Sequence, residues 1–307
     1  MKIVYAGTPQ FAVAPLKKLY EAGYEIVAVL TQPDKPQGRK GILTPSPVKV
    51  AAEELSLPVL QPSKLKEDCS ALASIGADCM VTCAYGQILT EEVLGLFPLG
   101  VWNIHASLLP EYRGAAPIPR AIMDGKRVTG ITVMKTELGL DTGDILCAQE
   151  VEIAENDTCG TLSEKLSLLG AELIARSLKG IKEATLTPQG EGFTCKKVQR
   201  TEVDFSKSAK EVSCLIRSLS PAPLAYATAN GIQLNFFMAS TKEYDGNEPY
   251  GTVLTQSPKE GLVVKCGEGA VVITELQPAG GKRMRASDFM NGRKIGKGTR
   301  FEDKSVL

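Results

Sequence analysis

Residues 101–114 (VWNIHASLLPEYRG) contain the only histidine of the chain, two positions after an asparagine. Side chains two apart on a strand point to the same face of a sheet, so Asn103 and His105 are predicted to lie side by side. An amide and an imidazole can both donate to the oxyanion that forms when a carbonyl carbon is attacked. A strand-end histidine is often only structural, but here the chain leaves regular structure directly afterwards, through Ser107 and Pro110. The pattern favours a site that acts on a carbonyl group.

A second stretch, Glu137–Ile145, is predicted to be a loop between two strands that carries the carboxylates Asp141 and Asp144. A carboxylate near an imidazole orients the ring and favours its charged form. Aspartate and glycine are also common turn residues, so the loop composition alone does not establish a role. The spacing does not choose between the two acids.

The first turn, Ala6-Gly7-Thr8-Pro9, follows a predicted strand and precedes a predicted helix. It lacks the G-x-G-x-x-G spacing of a dinucleotide-binding turn, and Pro9 has no N–H to offer a pyrophosphate. We therefore predict a strand-to-helix turn that holds no cofactor.

The site residues are embedded in an alternation of β-rich runs and amphipathic stretches. Strands are predicted at residues 2–6, 26–30, 58–60, 78–84, 101–105, 131–135 and 145–153. Helices are predicted from the first turn to Gly23, after Ser46-Pro47, at 67–76, at 90–97, and after the candidate caps Asp157 and Thr158. This order predicts an α/β fold, a mostly parallel sheet with helices on both faces. Ligands then bind beyond the carboxyl ends of the strands, where residues 103–105 lie.

The pattern changes near residue 187, after which a turn-rich segment begins. Short strands are predicted at 233–237, 251–254, 261–265 and 270–276, separated by Gly, Pro and Asn clusters. This spacing favours a small antiparallel barrel. The predicted organisation is a catalytic domain at 1–187, a linker at 188–205 and a second domain at 206–307.

The bulk composition excludes several classes of protein. Lys+Arg and Asp+Glu balance at 35 each, so a nucleic-acid partner would have to meet a local basic patch. The eight cysteines form no C-x-x-C pair, which indicates free core thiols, and a single histidine argues against a metal site. We see no signal peptide and no run able to cross a bilayer, and we predict a cytoplasmic protein with no membrane contact.

The motifs resemble those of the folate-dependent formyltransferases. The likeness rests on Asn103-Ile-His105, Ser107-Leu-Leu-Pro110, residues 112–117 (YRGAAP) and Leu140-Asp-Thr-Gly-Asp144. It extends to residues 31–39 (TQPDKPQGR), 45–49 (PSPVK), 84–89 (AYGQIL) and 276–284 (LQPAGGKRM), and so runs through nearly the whole chain.

The resemblance implies a Rossmann-like catalytic domain and an OB-like C-terminal domain. It implies 10-formyltetrahydrofolate as formyl donor, the methionyl amine of initiator tRNA as acceptor, and no metal; no obligate protein partner is inferred. It assigns catalysis to Asn103, His105 and Asp141. The folate-binding residues that it implies are Ser107, Leu108, Leu109 and Pro110, with the backbone of Tyr85, Gly86, Gln87, Ile88 and Leu89 near the pterin.

Two basic clusters in the sequence indicate whether the formyl acceptor is a nucleic acid. In the first, Lys35, Arg39 and Lys40 are opposed only by Asp34. The second lies near the C-terminus, faces the single acid Asp288 before Glu302, and comprises Lys282, Arg283, Arg285, Arg293, Lys294, Lys297 and Arg300. Such clusters supply phosphate contacts, although a solvated surface explains either one alone equally well. The predicted tRNA-binding residues are Lys35, Arg39, Lys40, Lys282 and Arg283, and the resemblance places Arg39 in an acceptor-arm loop.

Two departures from the family pattern concern the second domain: Pro221-Ala222-Pro223 stands where Pro-Trp-Pro is expected, and the linker before Val203 is shortened. The main alternative is formyl transfer to an amino sugar or another small amine. A purine-precursor enzyme would not need the last hundred residues, and a formyl-folate hydrolase would use water with the same three residues. From another class, the chain could be a nucleic-acid-binding barrel joined to an inert α/β domain.

Overall fold

A computed structural model describes residues 1–38, 41–67, 69–292 and 295–302. The chain forms two compact units. The first comprises Met1–Gly114, Thr129–Val151 and Ser163–Cys195, and the second comprises Ala115–Val128, Glu152–Leu162 and Lys196–Leu307. The domain limits at 187 and 205 stay a prediction.

The main sheet has seven strands. In chain order they are β1 (Lys2–Gly7), β2 (Glu25–Leu30), β5 (Val59–Leu60), β6 (Cys79–Cys83), β7 (Val101–His105), β9 (Val128–Lys135) and β10 (Ile145–Glu152), and their spatial order is β10-β9-β7-β6-β1-β2-β5. The pairs β1–β2, β1–β6, β2–β5 and β6–β7 are parallel, whereas β7–β9 is antiparallel. Every residue of β6 is buried, as expected for a parallel strand covered on both faces. The predicted mostly parallel α/β sheet is confirmed.

Two short pairs lie outside this sheet. One is an antiparallel hairpin of β3 (Lys35–Gln37) and β4 (Ile42–Thr44). The other joins β8 (Arg113–Gly114) in parallel to β11 (Thr194–Cys195). Neither pair was predicted, because two- and three-residue strands leave no readable alternation of apolar and polar side chains.

The helices are α1 (Val13–Glu21), α2 (Pro47–Glu54), α3 (Ser70–Ala73), α4 (Glu91–Gly95), α5 (Pro117–Met123), α6 (Cys159–Ser177), α7 (Ala209–Ser218) and α8 (Ala286–Asn291). The predicted start of α2 is confirmed, since the Ser46 side chain accepts a hydrogen bond from the amide of Lys49. At the start of α6, Thr158 Oγ1 accepts from the amide of Thr161 at 3.2 Å. The helix predicted at 67–76 is wrong in length, because the observed helix α3 covers four residues.

The second unit contains its own sheet. Its strands are β12 (Thr201–Glu202), β13 (Ala225–Ala229), β14 (Ile232–Lys242), β15 (Leu262–Lys265), β16 (Ala270–Pro278) and β17 (Met284–Arg285). The pairs β13–β14, β14–β16 and β15–β16 are antiparallel, and Phe236, Ile273 and Phe301 lie in the core. The predicted C-terminal sheet domain is confirmed.

The strand predicted at 251–254 is wrong: isolated bridges occur there, from Thr252 to Arg300 and from Val253 to Val264. The bridged partners Arg300 and Val264 lie in different segments, so no continuous ladder forms along the run. Among the described helices, none combines the length and apolar character needed to cross a bilayer.

The cysteines are free thiols, as predicted. Six are buried, and Cys147 and Cys159 are half-buried. Burial raises the pKa values of Cys79, Cys83 and Cys266 to about 12 each. Because the thiolate is the reactive form, these three should be almost inert at neutral pH.

We expect native protein treated with iodoacetamide at pH 8 to gain at most two labels, at Cys147 and Cys159. After unfolding in guanidinium chloride, all eight cysteines should react, because every thiol then regains water and an ordinary pKa. Peptide mass spectrometry locates the labels. Rapid labelling of Cys83 in the native protein would contradict the observed packing.

Candidate active site

Asn103 lies on β7, one strand across from Thr82 on β6. Thr82 Oγ1 donates to the Asn103 side-chain oxygen at 3.0 Å. Because a carboxylate only accepts, the NH₂ group of Asn103 must face Asp141, which leaves the amide oxygen toward the Thr82 hydroxyl. The amide nitrogen is thereby turned toward Asp141, 3.4 Å from its Oδ1.

His105 ends the same strand and is 6% exposed. Its Nε2 lies 2.9 Å from the backbone oxygen of Tyr112. A carbonyl oxygen only accepts, so Nε2 must carry a hydrogen, and the neutral ring has an unprotonated Nδ1. The free edge of the ring, where a proton can be gained or lost, is therefore Nδ1.

Asp141 faces that edge, with its Oδ2 3.6 Å from His105 Nδ1. The same oxygen accepts from the backbone amide of Gly114 at 2.8 Å. Asp141 has a φ of +52°, a left-handed conformation that aspartate tolerates better than most residues. Its side chain retains 17% exposure, so the carboxylate is held by the protein but can still be reached from outside.

Tyr112 and Gly114 belong to one short segment whose backbone forms hydrogen bonds with both His105 and Asp141. The Tyr112 carbonyl holds the ring of His105, while the Gly114 amide holds the carboxylate of Asp141. Gly114 has a φ of +99°, and a Cβ there would lie 2.9 Å from the carbonyl oxygen of Cys195. A side chain at 114 would therefore force this segment away from both partners.

The structure brings the distant Asp141 to the neighbouring pair Asn103 and His105, so the three residues assigned to catalysis lie together. They combine a neutral amide donor, an imidazole with a free edge, and a carboxylate. Such a set can stabilise an oxyanion and accept a proton from an attacking group, which suits addition to a carbonyl carbon. Across the described ranges, no three His, Cys, Asp or Glu side chains are grouped so as to hold a metal ion.

The predicted folate segment 107–110 is fixed from within the first unit. Ser107 is buried, and its hydroxyl donates to the carbonyl of Glu111 at 2.6 Å. Thr132 Oγ1 donates to the carbonyl of Ser107 at 2.7 Å and accepts from the amide of Leu109 at 3.1 Å. The Ser107 hydroxyl is thus occupied by the protein, and Leu108 and Pro110 remain partly exposed.

The predicted pterin segment 85–89 offers backbone and apolar surface. The Tyr85 carbonyl accepts from Thr8, and the Gln87 side chain bonds to the amide of Leu65 and the carbonyl of Pro62. No hydrogen bond among the described residues engages the amides of Ile88 and Leu89. Ile88 is 78% exposed, and Gly86 has a φ of +83°.

The Tyr85 side chain is unusual in this segment. Its ring is 4% exposed, and its hydroxyl has no partner within the described residues. Burial raises the pKa of this hydroxyl to about 12. The group therefore stays neutral at physiological pH.

The first basic cluster is only partly described. Lys35 is exposed on β3, whereas the predicted tRNA contacts Arg39 and Lys40 lie outside the described residues. Asp34, the acid beside them in sequence, pairs with Lys49 at 2.7 Å. Hydrogen bonds from Lys49 and from Gln61 lower the pKa of Asp34 below its ordinary value. The charge of Asp34 is thus matched by Lys49.

In the second cluster, Lys282 is exposed, but Arg283 forms an ion pair with Glu275 and lies over the ring of Phe237. Besides Asp288, the acid counted along the sequence, Glu275 from outside the segment therefore balances one charge of this cluster. The reason is tertiary: β17 pairs with β16, which places Glu275 beside a residue eight positions later. Arg293 and Lys294 lie outside the described residues.

Sequence reasoning missed Thr82 and the backbone roles of Tyr112 and Gly114. Thr82 stood inside a run predicted only as a buried strand, and its pairing with Asn103 depends on which strands are neighbours. Gly114 carried a signal, since a glycine beside a predicted site often marks a close approach of backbone. Backbone groups have no side-chain identity, so sequence could not assign their partners.

With this geometry in view, comparison with known proteins defines the class. Residues 1–178 match the formyl transferase family model, and residues 196–294 match the model of the formyl transferase C-terminal domain. The chain belongs to the formyl transferase family. A methionyl-tRNA formyltransferase of Acetivibrio thermocellus is 43% identical, covering 97% of this chain and 98% of that relative. One from Bacillus subtilis is 42% identical, covering 95% and 94%.

Solved structures share the fold. The N-formyltransferase from Helicobacter canadensis, in complex with folinic acid and dTDP-3-aminofucose, aligns with a TM-score of 0.65 at 18% identity, covering 89% of this chain and 98% of that one. HypX from Aquifex aeolicus, in complex with tetrahydrofolic acid, aligns at 0.64 and 18%, covering 97% and 48%. At this identity the likeness concerns the fold alone.

Proposed function

We propose that this formyl transferase moves the formyl group of 10-formyltetrahydrofolate to the amino group of methionyl initiator tRNA, in the cytoplasm. The observation that carries the proposal is the convergence of Asn103, His105 and Asp141 at the carboxyl end of β7. Relatives at 42–44% identity over nearly the full chain are named methionyl-tRNA formyltransferases, which supports the same acceptor here.

The proposed chemistry starts when the methionyl amine attacks the formyl carbon and negative charge develops on the formyl oxygen. Asn103 Nδ2 and the protonated Nδ1 of His105 donate to that oxygen. Asp141 accepts the proton that the amine loses, and the donor nitrogen leaves with a proton from His105 as its bond to the formyl carbon breaks. No covalent enzyme intermediate is needed.

For the donor, we propose that the pterin lies against residues 85–89 and the formyl-bearing part along 107–110. The amides of Ile88 and Leu89 are free of partners in the described part of the chain, and pterin rings carry acceptors that such amides bind. The exposed side chain of Ile88 offers apolar contact to a flat ring.

The acceptor is the part of the proposal that most needs a direct test. Purified protein is offered 10-formyltetrahydrofolate with either charged initiator tRNA or a panel of amino sugars. We expect formyl-methionyl-tRNA and no sugar product. If only the sugars were formylated, the acceptor of this enzyme would be a small amine and not the tRNA. Formate release without an acceptor would indicate a hydrolase, and no folate chemistry at all would favour the nucleic-acid-binding alternative.

The predicted contribution of Arg39 to tRNA binding can be tested by Arg39→Ala. Loss of one phosphate contact should raise the KM for the tRNA about tenfold and leave the Kd for folate within about twofold. Arg127→Ala, at an exposed arginine outside both basic clusters, is the matched control. Steady-state kinetics with varied tRNA measures the effect. Equal tRNA kinetics in both variants would count against the assignment.

A further inference from the structure

Gln189 lies in the turn-rich stretch after α6, within the predicted linker 188–205. Its half-buried side chain makes four hydrogen bonds. Its Nε2 donates to the backbone carbonyls of Asp141 at 3.0 Å and Gly143 at 2.6 Å. Its Oε1 accepts from Arg113 Nε at 3.1 Å and Nη2 at 2.8 Å. Both donors and both acceptor positions of the amide are therefore used.

The two segments that Gln189 joins are those that position the catalytic candidates. Asp141 itself sits on one, and residues 112–114, whose backbone holds His105 and the Asp141 carboxylate, form the other. One amide thus joins the backbone of Asp141 to the side chain of Arg113, the residue between Tyr112 and Gly114. A shift of Gln189 would change the 3.6 Å separation between Asp141 and His105.

The residues around Gln189, from 187 to 193, also contact the segments that contain Asp141 and Arg113. Thr187 exchanges backbone hydrogen bonds with Ile145 at 2.8 and 2.9 Å, and the Arg113 amide donates to the carbonyl of Phe193 at 3.0 Å. A Cβ on Gly192 would collide with the carbonyl of Pro110. The segment is therefore anchored on both sides of Gln189, which makes its amide a fixed reference point.

The hydrogen bond from Gln189 to the carbonyl of Asp141 stabilises an unusual backbone conformation at Asp141. A non-glycine residue at a φ of +52° is held in a sparsely populated conformation by its surroundings. The carbonyl of Asp141 is one of the two that Gln189 binds. The Gln189 amide therefore supports the backbone conformation that aims the carboxylate at His105.

We propose that Gln189 is a positioning residue for formyl transfer, which fixes the Asp141 loop relative to the segment that holds His105. The inference rests on the proposed roles of Asp141 and His105. Gln189 touches no reacting atom, so its loss should affect how well the catalytic groups are placed and hardly affect substrate binding.

The test uses Gln189→Met, which keeps the length of the side chain and removes all four hydrogen bonds, and Gln189→Glu, which keeps the acceptor for Arg113 but turns a carboxylate oxygen toward two carbonyls. We expect kcat to fall about 10- to 100-fold in both, since misplacement of catalytic groups by about an ångström has effects of this size. KM for donor and tRNA should change less than about threefold. Gln199→Met, at an exposed glutamine, is the matched control.

A second readout separates positioning from general destabilisation. Because His105 is the only histidine, a ¹⁵N-histidine-labelled protein gives one imidazole signal set. In Gln189→Met these ring signals should shift or broaden, and in Gln199→Met they should match the parent protein. Unchanged ring signals with kcat within about threefold of the parent would overturn the inference. If the parent protein transferred no formyl group to the tRNA, the proposed function would fail as well. If the parent were active and Asp141→Asn inactive, only the role of Gln189 would fail.

Discussion

Replacing His105 with alanine is expected to lower kcat about 10³-fold in a protein that still folds, because it removes both an oxyanion donor and a proton-transfer group. The loss of activity comes from the loss of Nδ1, the ring nitrogen that faces Asp141. Steady-state turnover at saturating donor and charged tRNA measures the loss. Alanine also removes the hydrogen bond from the imidazole to the carbonyl of Tyr112, which keeps its contact with Cys195 Sγ at 3.6 Å, at a cost on the order of 1 kcal/mol of stability.

His105→Gln separates these two effects. The amide nitrogen of glutamine falls near the position of the imidazole Nε2 and can still donate to the Tyr112 carbonyl, whereas nothing replaces Nδ1. We expect this variant to recover much of the stability that alanine loses, measured by urea unfolding. Its kcat should stay within about tenfold of the alanine variant. Near-normal turnover by His105→Gln would contradict the role of Nδ1.

Asp141→Asn should lower kcat by about 10²- to 10⁴-fold, with the fold preserved. Asparagine keeps an oxygen that can accept from the Gly114 amide, so the loop retains that anchor. It loses the negative charge beside His105 Nδ1 and cannot take a proton from the attacking amine. Single-turnover formyl transfer from pre-bound donor measures the chemical step without product release.

Asp144→Asn is the matched control on the same loop. The backbone carbonyl of Asp144 accepts a hydrogen bond from the amide of Lys135 at 2.9 Å. Among the described residues, no hydrogen bond involves its carboxylate. We therefore expect its kcat to stay within about threefold of the parent protein. If Asp144→Asn were as damaging as Asp141→Asn, the assignment of the catalytic acid would be wrong.

Some elements were missed although the sequence carried a signal. Helix α7 begins with a capping box, in which the Ser208 side chain accepts from the amide of Glu211 and the Glu211 side chain accepts from the amide of Ser208. The pattern Ser-x-x-Glu before an apolar run is readable from sequence. The buried residues Val212, Ile216 and Leu219 then repeat at helical spacing. The elements predicted for this half of the chain were strands, so helix α7 was not predicted.

The features that can be predicted from the sequence alone are local ones. The alternation of apolar runs specified the strands of the main sheet, Ser46 and Pro47 specified the start of α2, and the two-residue spacing of Asn103 and His105 put both on one strand. Each of these depends on neighbours along the chain, where the backbone geometry leaves few choices.

The contacts between groups distant in sequence follow from the three-dimensional packing of the chain. Thr82 orients Asn103 because β6 and β7 are neighbours, the Gly114 amide selects Asp141, and Glu275 reaches Arg283 because β16 pairs with β17. These contacts join short polar groups that are common in any sequence, and many of them run through backbone atoms that every residue carries. Their choice of partner is fixed by strand order and packing, which arise from the chain as a whole.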